Sequence, residues 1–309
     1  MQSDNLLEKF SDVLDASNDF LYEKTKKNYF ELILMTADNI LSGEVKQDLE
    51  NEDIEKLNEI YNPLMDVDFP VDVVLKALQY IILKGFKETN MKNGETTPDT
   101  LGMFIAYLIT KLQPKAEHLN ILDPLAGCGN LLLNVSNALE NKELNLFACD
   151  HNETMVKLLK MCSDMIQRDV EIYFEDTFNL HLKNMDDIIF DLPNVYQDDK
   201  EYFPFKAILH YVDLLKDDGF IIGIIPNDFF AHDKDQSFKK ELIKKMSIVG
   251  LIELPQQMFK LNPKSILILQ KKNVERKCML VKLPSFTDIR ALSNSLTEIE
   301  TWFEKNMNN

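Results

Sequence analysis

The chain is 309 residues long, 45% hydrophobic and 28% charged. That balance excludes a fibrous or disordered protein and leaves room for a main domain with a smaller one appended. A formal charge of −17 argues against a tight unaided grip on DNA or RNA, because proteins that hold a phosphate backbone alone usually present a net basic domain.

Met1 to Phe10 lacks the basic, apolar, small-residue succession of a signal peptide, and no apolar run approaches the roughly 18 residues needed to cross a bilayer. The expectation is a cytoplasmic protein with no membrane partner. Residues 1–90 carry helical periodicity: Val73, Val74, Ala77, Leu78, Ile81, Ile82 and Phe86 recur at three and four, and Tyr29, Ile33, Leu34, Ala37 and Leu41 repeat the pattern. Asn62-Pro63 and Asp66–Pro70 break these helices, so the region reads as a helical N-terminal domain.

After a polar linker, Lys87 to Glu95, seven short apolar runs alternate with amphipathic helices: 118–122, 144–149, 170–174, 187–190, 220–225, 249–254 and 265–270. The alternation predicts an α/β domain over residues 91–275, a doubly wound, mostly parallel seven-stranded sheet covered on both faces. The loop Pro255–Pro263 is too short for a helical crossover, so the last run is expected to pair antiparallel. Residues 276–309 read as a short C-terminal extension with a helix around Glu298 to Glu304.

Ligands of such a sheet sit outside the carboxyl ends of its strands, and Asp123, Asp150, Asp176 and Asp191 all fall at or just beyond those ends. Gly127 and Gly129 suit a turn where backbone approaches a ligand. The string is neither a dinucleotide fingerprint, which wants a small residue where Leu132 stands, nor a phosphate loop, which wants Gly-Lys-Ser/Thr. Asp123 beside the turn favours a cationic ligand, an ammonium or sulfonium, and would repel a pyrophosphate. Asp150 can accept from both hydroxyls of a ribose, and Asp176, followed by Thr177-Phe178, can accept from an adenine amino group while an apolar neighbour packs on the ring. Taken singly, each carboxylate is equally a turn or helix cap. The four cysteines, Cys128, Cys149, Cys162 and Cys278, have no metal-ligand spacing, so no metal is expected.

These pieces occur in an order that resembles class I S-adenosylmethionine-dependent methyltransferases: Thr97-Pro98, Asp123-Pro124-Leu125-Ala126-Gly127-Cys128-Gly129-Asn130-Leu131-Leu132, Asp150, Asp176-Thr177, Asp191-Leu192-Pro193-Asn194 and Gly219–Pro226. Order and the Thr-Pro element resemble the adenine-N6 DNA methylases, in particular the modification subunits of type I restriction systems and their short stand-alone bacterial relatives. The resemblance implies a Rossmann-like methyltransferase fold and S-adenosyl-L-methionine as cofactor. It places Thr97-Pro98 against the methionine part, Asp123, Pro124, Gly127, Gly129 and Asn130 at the amino-acid end, Asp150 at the ribose and Asp176-Thr177 at the adenine. Asp191, Leu192, Pro193 and Asn194 become the reacting motif, in which a side-chain oxygen and a backbone carbonyl accept the two hydrogens of the target amine and localise its lone pair.

The family's fourth motif position is aromatic and stacks on an extruded base; here it is Asn194. Tyr196, Tyr202 and Phe203 are the nearby rings. Only 34 residues follow the catalytic region, with no room for a sequence-reading domain. Two basic clusters, Lys239, Lys240, Lys244 and Lys245 and then Lys271, Lys272, Arg276 and Lys277, offer contacts to phosphates or simply solvated faces. The sequence therefore predicts methyl transfer to an amino nitrogen, weak contact with nucleic acid and a protein partner through the helical N-terminal domain. A cofactor-binding adaptor with a decayed acceptor site, and a methyltransferase for RNA, protein or a small molecule, remain open beside it.

Overall fold

The structure, a computed structural model, describes residues 2–89, 97–197, 201–259, 262–272, 274 and 276–307. The expected linker therefore shows only its first residues; 90–95 lie outside the described residues.

Helices come first: α1 (Gln2–Thr25), α2 (Tyr29–Ser42), α3 (Asn51–Tyr61), α4 (Val71–Glu88) and α5 (Asp99–Leu112). Asn28 starts α2 with a reciprocal capping box to Glu31, and Gly43 ends it in the left-handed conformation. Pro70 and Pro98 stand immediately before α4 and α5. The alternating part follows: β1 (His118–Asp123), α6 (Asn130–Ala138), β2 (Glu143–Asp150), α7 (Glu153–Met165), β3 (Val170–Phe174) and β4 (Met185–Asp191). Next come a small hairpin of β5 (Tyr196–Gln197) and β6 (Glu201–Tyr202), then α8 (Phe203–Tyr211), β7 (Leu215–Pro226), α9 (Ser237–Lys245), β8 (Ser247–Glu253) and β9 (Lys264–Gln270). The chain closes with β10 (Met279–Lys282) and α10 (Ile289–Asn306).

The main sheet runs β10-β8-β9-β7-β4-β1-β2-β3. It is parallel except for β9, which is antiparallel to both β7 and β8. The expected seven strands are present and an eighth joins them, so the seven-stranded expectation is corrected to eight, with the β5–β6 hairpin separate. The extra strand, β10, is four residues long and runs parallel to β8 at the sheet edge, too short to carry a clear period. The terminal helix is longer than Glu298–Glu304 because Asp288 caps it at Ala291. Its Ile299 and Phe303 join the core beneath α5 and α6.

Strand order reverses at β1: the chain steps from β1 to β2 and β3 on one side, then returns to place β4 on the other. The carboxyl end of β1 is thus a switch point, the place where sheets of this kind hold their ligands. Residues of α5, α6 and α10 fill one face of the sheet, and those of α8 and α9 the other. The N-terminal helices share a third cluster with α6 and α7, in which Val74, Leu78 and Ile82 meet Cys128, Leu133, Leu158 and Cys162. They therefore back the turn that follows β1. Among the described residues no helix is long and apolar enough to cross a membrane.

Candidate functional site

Asp123 closes β1 at the switch point and is 1% exposed. Its Oδ1 accepts from the Leu125 N–H at 3.1 Å. Burial pushes its carboxyl up to about 8, against one favourable main-chain hydrogen bond, and the nearby Asp150 and Asp191 carboxylates push the same way. Among the described residues no cation forms an ion pair with it. A buried acid with acidic neighbours is a poor arrangement for an empty protein and a good one for a cationic ligand.

The turn after β1 folds back on β2. Ala126 N–H donates to the Cys149 carbonyl at 2.9 Å, and Gly127 N–H to Asp150 Oδ2 at 2.9 Å. The other Asp150 oxygen accepts from Asn152 N–H at 2.8 Å, so main chain fixes this carboxylate at both oxygens. Gly127 has φ +53 and Gly129 φ +84, both in the left-handed region that L side chains rarely adopt. Their surroundings differ: a Cβ on Gly129 would lie 2.9 Å from Leu159 Cγ, whereas one on Gly127 would meet nothing within 4 Å. Gly129 is there so that α6 can pack on α7, and Gly127 faces open space.

Thr97 and Pro98 are brought to this turn by α5. The Asn130 amide donates to the Thr97 carbonyl, and the Asn134 amide in turn donates to the Asn130 carbonyl at 2.8 Å. Asn130 thus tethers the Thr97 segment. Pro124 lies in the turn itself. Asp176 stays on the rim, exposed, with Oδ1 taken by the Phe178 N–H at 2.9 Å, and Thr177 is buried with its hydroxyl paired to Tyr211 at 2.8 Å. The Phe178 ring is engaged by Phe203 and His210, so Phe203 is packing.

Asp191 closes β4, one strand from Asp123. Thr97 Oγ1 donates to its Oδ2 at 3.2 Å, and Lys264 Nζ lies 2.7 Å from Oδ1 and 2.9 Å from Oδ2. Leu192 is buried and its N–H donates to the Ile224 carbonyl at 2.9 Å, which pins the strand end to β7 before Pro193 turns the chain away. Asn194 Oδ1 accepts from the Tyr202 hydroxyl at 2.9 Å, and its Nδ2 lies 3.4 Å from Asp228 Oδ1. His232 bridges onward, 3.3 Å from Asp228 Oδ2 and 2.6 Å from the Tyr196 hydroxyl, with its ring stacked on Tyr202 at 4.1 Å. Tyr202 is therefore occupied, its hydroxyl by Asn194 and one face by His232, and burial raises its pKa. Tyr196 and Phe230 remain partly exposed at this edge.

Lys264 and His232 were not legible as site residues, whereas the segment Asn227 to Phe230 after β7 reads in the sequence as a border of the substrate cleft, and Asp228 lies there beside Asn194. The one signal for Lys264 is its place as the first residue of an antiparallel strand, which starts where its parallel neighbours end. The basic clusters are largely spent on the protein itself: Lys244 pairs with Glu241, Lys245 with Asp213 and Lys272 with Asp218, while Arg276 bonds Gln270. All four cysteines are free; burial raises the thiols of Cys128, Cys149, Cys162 and Cys278.

Comparison with known proteins agrees with this geometry. Residues 69–300 match the N-6 DNA Methylase family, and residues 8–86 match the YtxK N-terminal helical domain. The uncharacterized protein YtxK of Bacillus subtilis (strain 168) is 33% identical over 253 residues, covering 75% of this chain and 77% of that protein. A putative class I S-adenosylmethionine-dependent methyltransferase from Listeria monocytogenes superposes with a TM-score of 0.87 at 29% identity, over 97% of this chain and 99% of that one. The type I restriction-modification system methyltransferase subunit from Streptococcus thermophilus shares the fold, with a TM-score of 0.63 at 17% identity over 94% of this chain and 74% of that one. A glycine cradle beside unbalanced carboxylates, set at the switch point of this sheet, is what a sulfonium nucleoside requires, and the chain accordingly belongs to the N-6 DNA Methylase family, as an S-adenosylmethionine-dependent, adenine-N6 DNA methylase-like methyltransferase.

Proposed function

We propose that the chain methylates the N6 amino group of adenine in DNA, with the donor on the Asp123–Asp150 side of the crevice and the target base on the Asp191–Asn194 side. The observation that carries this reading is the position of Asp191: a carboxylate held by Thr97 and Lys264 at the tip of β4, one strand from the buried Asp123.

Two features support the fit of S-adenosyl-L-methionine: the open space at Gly127, which a Cβ would enter, and the buried Asp123 carboxyl with the Asp150 and Asp191 carboxylates near it, which a cation would relieve. Thr97, Pro98, Asp123, Pro124, Gly127, Gly129, Asn130, Asp150, Asp176 and Thr177 make up the donor side. Within it Asp123 supplies the charge once the cationic donor displaces its proton, Asp150 the hydroxyl acceptors, and Asn130 and Thr177 hold neighbouring segments in place. When bound, the cofactor supplies an electrophilic methyl group. The protein's task is to make the amine a better nucleophile: Asp191 and the Leu192 carbonyl accept its hydrogens, and Pro193 fixes the turn that presents them.

Residues 1–90 act as a helical docking domain for a protein partner, 91–275 as the methyltransferase domain and 276–309 as its C-terminal extension, in a cytoplasmic protein. The Streptococcus relative is described as a subunit. An acidic chain in which Lys244, Lys245 and Lys272 are paired internally needs a partner to hold DNA firmly.

Transfer of labelled methyl to unmethylated DNA tests the reading. Incorporation at adenine N6 that Asp191→Ala abolishes is the expected result; donor binding by calorimetry without incorporation into any DNA overturns it. One observation favours a second reading, the cofactor-binding adaptor: the Asn194 amide is already committed to Tyr202 and Asp228 where the family offers an aromatic face. That same outcome, binding without turnover, is its signature.

A further inference from the structure

We infer that Lys264 is a positioning residue of the methyl-transfer site: its ammonium, astride both oxygens of Asp191, holds that carboxylate in its acceptor orientation. The inference rests on the proposed role of Asp191 as hydrogen-bond acceptor for the target amine.

The sheet topology explains how a lysine gets there. β9 runs antiparallel between β7 and β8, so its first residue stands at the edge where the parallel strands end. Lys264 opposes Pro226 on β7, and Asp191 opposes Ile224 on the same strand. An all-parallel sheet would bring the amino end of a strand to the far side, away from the crevice. The inserted antiparallel strand therefore delivers a side chain that the rest of the sheet cannot.

The contact is unlike the surface ion pairs of this chain. Lys264 and Asp191 side chains are 14% and 20% exposed, whereas Lys282 and Glu253 on the neighbouring edge are 75% and 43% exposed. Partial burial reduces screening, so the pair is stronger than an exposed one. The Phe259 ring lies 4.9 Å from the same ammonium and confines it from another side. Thr97 Oγ1 reaches Oδ2 from the α5 side, so the carboxylate plane is set from two directions.

The crevice also makes such a lysine necessary. Asp191 has Asp123 on β1 next to it and Asp150 on β2 beyond, while β7 presents the uncharged Ile224 opposite it and the loop after β7 carries Asp228, 3.4 Å from Asn194. Crowded carboxylates share protons unless a cation decides which stays ionised. Asp123 has no ion-pair partner among the described residues and burial raises its pKa, whereas Lys264 sits against both oxygens of Asp191, which favours the ionised carboxylate there. A protonated Asp191 would present an O–H to the target amine and lose acceptor strength.

The full-length protein labelled with carboxyl-carbon-13 aspartate provides the test, with the Asp191 resonance assigned through Asp191→Asn. Following its titration in wild type, Lys264→Met and Lys264→Arg, we expect the Asp191 midpoint to rise by about one to three pH units in Lys264→Met and to return toward wild type in Lys264→Arg. An unmoved midpoint in folded Lys264→Met overturns the inference. Lys264→Gln takes its place if the Met variant does not fold. On methyl transfer, Lys264→Met lowers kcat at neutral pH and moves its acid limb upward while donor affinity stays within about twofold; an unchanged or raised kcat counts against the inference. Absence of turnover in wild type would sink the proposed function, and the titration would still decide whether Lys264 sets the state of Asp191.

Discussion

Asp123 and Asp150 are held by main-chain N–H groups from Leu125, Gly127 and Asn152, all within 23 residues of the carboxylate they serve. Asp191 and Asn194 are held by side chains, and most come from far along the chain: Thr97 and Lys264 on the first, Tyr202 and Asp228 on the second. A main-chain cradle survives changes in its neighbours' side chains, because every residue except proline carries the same donor. A side-chain network changes whenever any member does. The proposed donor side of the crevice is thus the more generic half, and the proposed acceptor side the half more easily altered by substitution.

The largest expected break in this contrast comes from Asp191→Ala. Removing a preorganised acceptor costs about 10²–10³-fold in kcat, while calorimetry should find donor affinity changed by no more than about threefold. A comparable loss of donor affinity would mean that the two halves are not separable.

pH divides two buried acids with the same displacement. Burial lifts both Asp123 and Asp187 from 3.8 to about 8. Between those values the folded state holds protons that the unfolded state has released, so each acid costs stability as pH rises through the window, by at most about 1.4 kcal/mol per pH unit. Asp187 sits near the amino end of β4, with Gln113 on Oδ1 at 2.8 Å and no hydrogen bond to Oδ2 among the described residues. Melting between pH 5 and 8 should show a shallower decline in both Asp123→Asn and Asp187→Asn. Only Asp123 lies on the proposed donor side: if a cation arriving there expels its proton, donor affinity in wild type should climb with pH up to about 8, at most tenfold per unit. Calorimetry in buffers of different ionisation heats reads the released proton directly, and Asp187→Asn should leave it intact.

The glycines sharpen the same contrast within one turn. Gly129→Ala drives a methyl against Leu159 and adds left-handed strain, so it should cost about 2–5 kcal/mol in denaturant unfolding. Gly127→Ala meets no atom, so its cost is only the left-handed strain of about 1–2 kcal/mol, but the methyl fills the cradle and should weaken donor binding by about tenfold or more. Equal donor affinity in Gly127→Ala and wild type would remove Gly127 from the site.

What was legible in the sequence follows this division. The strand-end carboxylates and the glycine turn were visible because the strand, turn and helix start that carry each of them are written in short stretches of sequence, although the partners of Asp191 are not. β10 was missed because four residues at an edge, only alternately buried, carry too little periodicity. Lys264 and His232 were missed because their meaning depends on which strand ends lie together, and that is a property of sheet order. Tyr202 was named only as a nearby ring; its hydrogen bond to Asn194 needed the β5–β6 hairpin to fold it back.

The smallest effect is expected where the acceptor network closes on itself. Tyr202→Phe deletes the hydroxyl that serves Asn194 Oδ1 and keeps the ring stacked on His232 and edge-on to Phe205. One net hydrogen bond is worth about 0.5–1.5 kcal/mol, a drop of only a few degrees in Tm for a chain of this size. If Asn194 is a binding group for the acceptor, the loosened amide should raise KM for DNA by about two- to tenfold with kcat little changed, since the proposed reaction puts the target amine on Asp191 and not on Asn194. A fall in kcat without a change in KM would move Asn194 from holding the acceptor to assisting the transfer itself.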